Sequence, residues 1–555
     1  MLRLFPLLAL VLASVASAQT EGVLQTESAL ERFVLRQHAL GRLPDFDAGA
    51  RPLNTRHALA LLDSAALAPD LSAVDRDLID AYLGRSTAGV LGNRAAASTP
   101  LYANERSFLS ALGDGYGLEL SPLIDLTGGP ALINRPATGT ERGTAWTFSR
   151  GVRAAGHAGH FFAETRLTEN QALVPLGTRT FATAPRLANV VTTGTDDPTY
   201  DYVRSTGLVG YRDRFVELRA GRDRNRLGFA RGSLLLSDYA AEYDHAQVRL
   251  DVGPVSAQAV YARFLDPRER GVSDAAGVVE LRYGVFHRLA IRAGLGLEVE
   301  VFESVLFGDR DDDNRNGFEP AYLVPFALYR AVERDLGSPD NVLLGMGAAW
   351  TLGGGYRVYG QGIIDELVAA NFFEDAWTNK WGLVLGAQLA DPVVPGLGRI
   401  ANTDLRVEYA RIRPYTYSHR DSLTSAVHYG DTIGHPAGPN ASDLSLRVVH
   451  RPGRDVELSA DLVRTVRGRN TDTLNYGSDP ARPNVDRVPE PNPTLQGVRQ
   501  RVFAGSLGAA VRLLPDATAG LALQFHVVED ELEGRSGVVA PQVYLRWALT
   551  PLGVR

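Results

Sequence analysis

The sequence predicts a mainly β fold: a transmembrane antiparallel β-barrel of about eighteen strands, preceded by a small N-terminal α-helical bundle. Three observations carry this expectation. The apolar period is helical near the N-terminus and changes to two after about residue 95. Beyond that point apolar residues alternate with full charges, so one face of each strand is greasy and the other wet. Segments of about ten residues, the length of a tilted membrane crossing, are separated by tight turns and by long polar stretches.

The first element is a secretory signal. Arg3 precedes an apolar run from Leu4 to Val15, and Ala16-Ser17-Ala18 is a small-residue cleavage site, so residues 1–18 are expected to direct Sec-dependent export and to be removed. Residues 19–95 read as a periplasmic helical domain. Leu30, Phe33, Val34 and Gln37 mark one helical face, and Leu71, Val74, Leu78, Ile79 and Tyr82 mark another. Ser72 with Asp75 has capping-box spacing, Thr55 is placed to cap Ala58 to Leu62, and Gly84 supplies a C-terminal stop. Two or three short helices are expected.

Residues 96–555 read as the barrel. Leu405, Val407 and Tyr409 alternate with Asp404, Arg406 and Glu408. Leu444, Leu446 and Val448 alternate with Ser445 and Arg447. After a Pro452-Gly453-Arg454 turn, Val456, Leu458, Ala460 and Leu462 alternate with Glu457, Ser459 and Asp461, which predicts a hairpin. Near the end, Val543, Leu545, Trp547 and Leu549 alternate with Gln542, Tyr544 and Arg546. A soluble sandwich would show the same alternation. Long polar stretches such as Asp309 to Glu319 and Thr465 to Gln500, set against tight turns, and aromatics near strand ends favour the barrel. At roughly 25 residues per strand with its connection, this segment holds an even number of strands near eighteen. Barrel strands of this kind often end the chain on an aromatic, whereas here Trp547 is followed by further residues to Arg555, as a short tail beyond the last strand would produce.

Composition removes several classes. There is no cysteine, which excludes disulfides, thiolate metal sites and a lipid-modified cysteine after the signal. The best candidate for a helical span, Trp381 to Ile400, is interrupted by Asp391, Pro392 and Pro395. With 57 basic against 64 acidic residues and Lys380 the only lysine, the chain offers no basic patch for nucleic acid.

Two constellations are candidates for glycan contact. Arg222, Asp223, Arg224 and Arg226, with Arg231 and Asp238 beyond them, place guanidinium and carboxylate groups close together. Arginine pairs bidentately with a uronate, and carboxylates accept from vicinal sugar hydroxyls; an internal ion-pair ladder is the competing reading. Tyr415, Tyr417, His419, His428, Tyr429 and His435 surround a turn-rich loop containing Pro436, Gly438 and Pro439. Their rings could stack on sugar faces, or serve as an aromatic girdle and a rigid loop; a metal held by His428 and His435 lacks a third ligand of obvious spacing. Asp312, Asn314 and Asn316, followed by Gly317, match the first half of a calcium loop, but Leu323 stands where a bidentate glutamate would complete it, so calcium competes with a solvated acidic loop. No zinc-protease, serine-hydrolase or phosphate-loop motif is present, and the chain reads as non-enzymatic, with no required cofactor. Gly353-Gly354-Gly355 reads as a turn.

The stretch Gly221-Arg222-Asp223-Arg224 through Gly232-Ser233-Leu234-Leu235-Leu236-Ser237-Asp238 resembles capsule-assembly outer-membrane proteins of the Wzi type. Arg51-Pro52-Leu53, Asp340-Asn341-Val342-Leu343-Leu344-Gly345, Arg413-Pro414-Tyr415-Thr416-Tyr417-Ser418, His428-Tyr429-Gly430 and Gly434-His435-Pro436-Ala437-Gly438-Pro439-Asn440 agree in order. The resemblance implies an eighteen-strand barrel in the outer membrane of a Gram-negative cell, a helical bundle near its inner mouth, and a role in binding or assembling capsular or other surface polysaccharide. It adds Asn440 to the candidate site. Expected partners are that polysaccharide, outer-membrane lipid and a periplasmic export partner. A porin-like channel for small solutes and a soluble secreted β protein stand as the alternatives.

Overall fold

A computed structural model describes residues 22–92, 100–173, 175–177, 191–193, 199–265, 281–308, 322, 340–366, 368, 371 and 374–549. The expected signal peptide and the acidic stretch holding Asp312, Asn314 and Asn316 lie outside them.

Successive side chains of a pleated strand point to opposite faces, so strictly alternating segments need two different environments. The chain provides them by closing eighteen antiparallel strands into a barrel, from Tyr116–Arg135 to Gly534–Trp547, with the last strand paired to the first. Val543, Leu521 and Tyr409 stand exposed on the outer wall, while Arg357, Gln361 and Glu408 are buried inside. The predicted hairpin forms, with Leu446 opposite Leu462 and Val448 opposite Ala460. Its flanking strand runs on to Arg469, and the next begins at Val498, so the polar connection is shorter than Thr465 to Gln500.

Turns at one end are tight. Gly353, Gly354 and Gly355 all have positive φ (85°, 63° and 92°), which only glycine adopts without strain, and they make the sharp reversal expected there. Most connections at the other end are long, including 224–242, 413–440 and 470–497, although 136–138 and 531–533 are tight turns there. The last strand ends on Trp547, whose indole Nε1 donates to Asp516 at 2.9 Å and whose ring meets Phe108 edge to face. The terminal aromatic is therefore present at the strand's end, with a tail beyond it.

Along the seam between last and first strands, the ladder pairs Val539 with Leu132 and resumes with Val543 opposite Gly128. Pro541 and Pro130 fall in that interval, and neither has an N–H to donate.

Three helices precede the barrel: α1 (Ala29–Ala39), α2 (Thr55–Ala65) and α3 (Ala73–Tyr82). The Ser72 hydroxyl accepts from the Asp75 N–H at 3.0 Å, and Gly84 ends α3 with a φ of 69°. At α2 the expectation is corrected: Asn54 is the cap, accepting from His57 N–H at 3.1 Å, because it holds the extended backbone and Thr55 is already helical. Phe33, Val34, Leu62, Leu78 and Ile79 form a small core among the helices.

These helices are inserted into the barrel at the tight-turn end. Ser72 donates to Asn402 at 2.8 Å, Arg56 to the Gly159 carbonyl at 3.3 Å, and Gly89 N–H to Asp455 at 2.9 Å, all near turns. Deeper, charged pairs tie them to the wall. Asp47 receives both Arg288 terminal nitrogens at 2.8 Å and Arg249 at 3.2 Å; Arg36 joins Asp75, Asp391 and Asp404 at 3.0, 2.7 and 2.9 Å; His38 meets Glu298 at 3.1 Å.

From the long-loop end, segments 224–242 and 413–440 fold inward. Leu234, Leu236, Phe229, Tyr417 and Ile433 pack against the inward side chains Phe264, Phe286, Ile363, Val384 and Ile412. Part of the lumen is therefore an apolar core, where alternation with charges predicts a wet interior. Ala50–Arg51 pairs with Arg226–Leu227 as a two-stranded ribbon, joining the helical insert to the inward loop.

Candidate functional site

The arginine-rich constellation is divided by the wall. Arg222 lies on the same outward face as the exposed Leu218, 3.2 Å from Asp244. Asp223 accepts from the Arg224 N–H at 2.8 Å, and Arg224 donates to the Asp238 carbonyl at 2.9 Å. Arg226 turns fully inward, to Glu27 at 2.8 Å, Glu31 at 3.5 Å and Asp238 at 3.9 Å. Arg226 and Asp238 thus follow the ion-pair ladder. Burial pushes the Glu27 carboxyl upward, but Arg447, Arg226 and Arg231 outweigh it and hold that carboxyl well below the ordinary range. Burial also raises Glu31, against Arg51 and Arg226.

The aromatic and imidazole residues share the inward-folded 413–440 loop, where all but the half-buried His419 are buried, and they are laced to the chain. Tyr415 donates to the Asn475 carbonyl at 2.8 Å and Tyr417 to the Leu234 carbonyl at 2.9 Å; Tyr417 also accepts from the His435 N–H at 3.3 Å. His419 bonds Thr424 at 2.6 Å, while His428 accepts from Leu265 N–H at 3.1 Å and packs against Tyr429. His435 accepts from Ala437 N–H at 3.2 Å. Asn440 donates to the carbonyls of Gly468, Gln496 and Tyr476 at 2.7, 2.9 and 3.2 Å, and accepts from Leu495 N–H at 2.6 Å. These contacts follow the rigid-loop reading. Burial lowers His419 and His428 to about 4, so both are neutral at pH 7. Among the described residues no group of three or more His, Asp or Glu side chains is arranged to hold a metal.

A different place offers polar groups facing open space. Between α1, Tyr82 and the inner faces of the first and last strands lies a lumen cavity of about 540 Å³. Its lining mixes seven arginines with six carboxylates, and adds Tyr202, Tyr544, Asn170, Gln524 and Gln542. Arg546 reaches Asp125 at 3.1 Å and covers the Tyr544 ring at 4.1 Å. Arg447 meets Asp461 at 2.7 Å, Arg32 meets Glu457 at 2.9 Å, and Arg512 lies 5.5 Å over the Tyr82 ring. Most are the polar members of alternating strands, including the Gln542, Tyr544 and Arg546 set; their pattern is visible in sequence, their convergence is not.

An eighteen-strand antiparallel barrel with an apolar outer wall is the architecture of outer-membrane proteins, and this chain is one. Its fold is shared with Wzi of Escherichia coli, described as a carbohydrate-binding β-barrel of the outer membrane involved in group 1 capsule assembly. The two are 12% identical over 94% of this chain and 99% of that one, with a TM-score of 0.52. OprD of Pseudomonas aeruginosa (8% identity, 78% and 94% coverage, TM-score 0.38) and OccAB2 of Acinetobacter baumannii (11%, 77% and 98%, 0.42) are also similar. No protein-family model matches the chain, and no curated protein matches it by sequence.

Proposed function

We propose that this protein reaches the outer membrane by Sec-dependent export and there binds, tethers or helps assemble capsular or other surface polysaccharide, without enzymatic action. The observation that carries the reading is the residual lumen cavity. It presents guanidinium and carboxylate groups, side-chain amides and tyrosines in a barrel that the helices enter from one end and the inward loops from the other. Carboxylates and amides match vicinal sugar hydroxyls, guanidiniums match uronates, and tyrosine rings match the apolar sugar faces. The carbohydrate binding described for Wzi, whose fold the chain shares, agrees with it.

Cells lacking the protein should shed polysaccharide at unchanged total synthesis, and the intact gene should restore retention. In the purified protein, Gln524→Ala with Tyr544→Ala should weaken glycan binding about tenfold, the worth of one or two well-made polar contacts. Unchanged retention would sink the tethering role. Sustained open-channel current in planar bilayers would favour a solute channel instead, because a filled lumen should conduct little.

A further inference from the structure

The outer wall carries a charged and aromatic depression that the lumen site does not use. Arg222, Asp244 and Arg263 stand side by side on three adjacent strands, Arg222 opposite Asp244 and Asp244 opposite Arg263. Arg222 approaches one carboxylate oxygen at 3.2 Å, and Arg263 bonds the other. One carboxylate therefore serves two guanidiniums, and about one positive charge is left over. All three side chains keep more than a third of their surface exposed. The depression, about 540 Å³, continues to the half-buried Tyr261 and Tyr283, with Phe307 stacked on Tyr283 at 5.5 Å but itself buried against Tyr322.

Its height on the wall identifies its surroundings. The strand Val255–Leu265 leaves a tight turn, so at a rise of about 3.4 Å per residue and a tilt near 40°, Arg263 sits roughly 20 Å above the tight-turn end. That is close to the top of an apolar band about 25 Å tall. On the same outward face below lie Val255, Ala257, Val248, Leu250 and Leu218. The two guanidiniums thus mark the line where acyl chains give way to headgroups on the long-loop side, where an arginine on the wall is tolerated and meets lipid anions.

We propose that this depression holds the phosphate of a phosphorylated outer-leaflet lipid between Arg222 and Arg263, with the lipid's apolar part running down the wall over Val248, Leu250 and Leu218. Arginine's planar fork suits phosphate, and the site's open face suits a ligand arriving in the membrane plane. The proposal rests on the outer-membrane placement and is independent of the glycan reading. The test is native mass spectrometry of the full chain in nanodiscs carrying either a phosphorylated glucosamine lipid or its dephosphorylated form. Folding of each variant is checked by heat-modifiable gel mobility. The phosphorylated lipid should survive release from the disc. Arg222→Gln with Arg263→Gln should cut its retention about tenfold, and Asp244→Asn, which removes the competing carboxylate, should raise it. A purely structural ion-pair ladder would instead lose stability in Asp244→Asn and retain no more lipid. Equal retention of the dephosphorylated lipid, unchanged retention in the folded double variant, or capture of inorganic phosphate without lipid would each overturn the proposal.

Discussion

Asn440 shows how much of the long-loop end depends on single side chains. It has a φ of 57°, a left-handed conformation that asparagine tolerates better than most residues, and its amide is shared among four backbone groups. Asn440→Ala should strand those groups and strain the backbone, destabilising this end by about 2–4 kcal/mol. Hydrogen exchange should then quicken across residues 470–497 while the barrel strands stay protected; unchanged exchange would contradict the lacing role. The turn-rich character of Gly-His-Pro-Ala-Gly-Pro-Asn was legible in sequence. Its lacing was not, because the partners at Gly468, Tyr476 and Gln496 are brought near only by the pairing of distant strands.

At the scale of elements, the helical insert and the inward loop are held by different forces, and each has its own sensitivity. Asp47 neutralises two wall arginines inside the lumen; in Asp47→Asn, Arg288 falls back on Glu300 and Arg249 on Asp251, and docking of the insert should weaken by about 1–3 kcal/mol. The check is conductance: brief openings in planar bilayers should appear in the variant and be absent from the parent. The 413–440 loop instead responds to acid. Burial lowers His419 and His428 to about 4 in the folded state, against an ordinary value near 6.5. A depressed folded value means the unfolded loop binds protons more readily. The stability of this loop should therefore be complete above about pH 6.5 and be lost progressively as pH falls toward 4. Proteolysis of the loop should accelerate over that range, and His428→Gln should shrink the dependence. The helices themselves were readable from their period and from the Ser72 cap. Their position inside the wall was not, since Arg36, His38 and Asp47 find their partners hundreds of residues away.

For the whole molecule, alternation was the informative signal, because a closed sheet forces every second residue to one side of a boundary. It disclosed the barrel, its strand number and the hairpin after Val448. It did not disclose how the interior is filled. Inward apolar residues such as Phe264, Ile363 and Val384 look in sequence like any other strand positions, and only the inward fold of 224–242 gives them something to pack against. Arg222 and Arg226 illustrate the same limit at close range: four positions apart, they end on opposite sides of the wall.

The interrupted seam bears on how such an object comes to exist. The strand that completes the wall is the last to be made, and the helices it encloses are the first. A preformed cylinder would have to admit a folded insert carrying Arg36, His38 and Asp47 past its rim; an open sheet need only curl around it. The proline-bearing stretch, where the ladder is broken, is then the natural last join, which makes assembly a wrapping of the wall about its own contents.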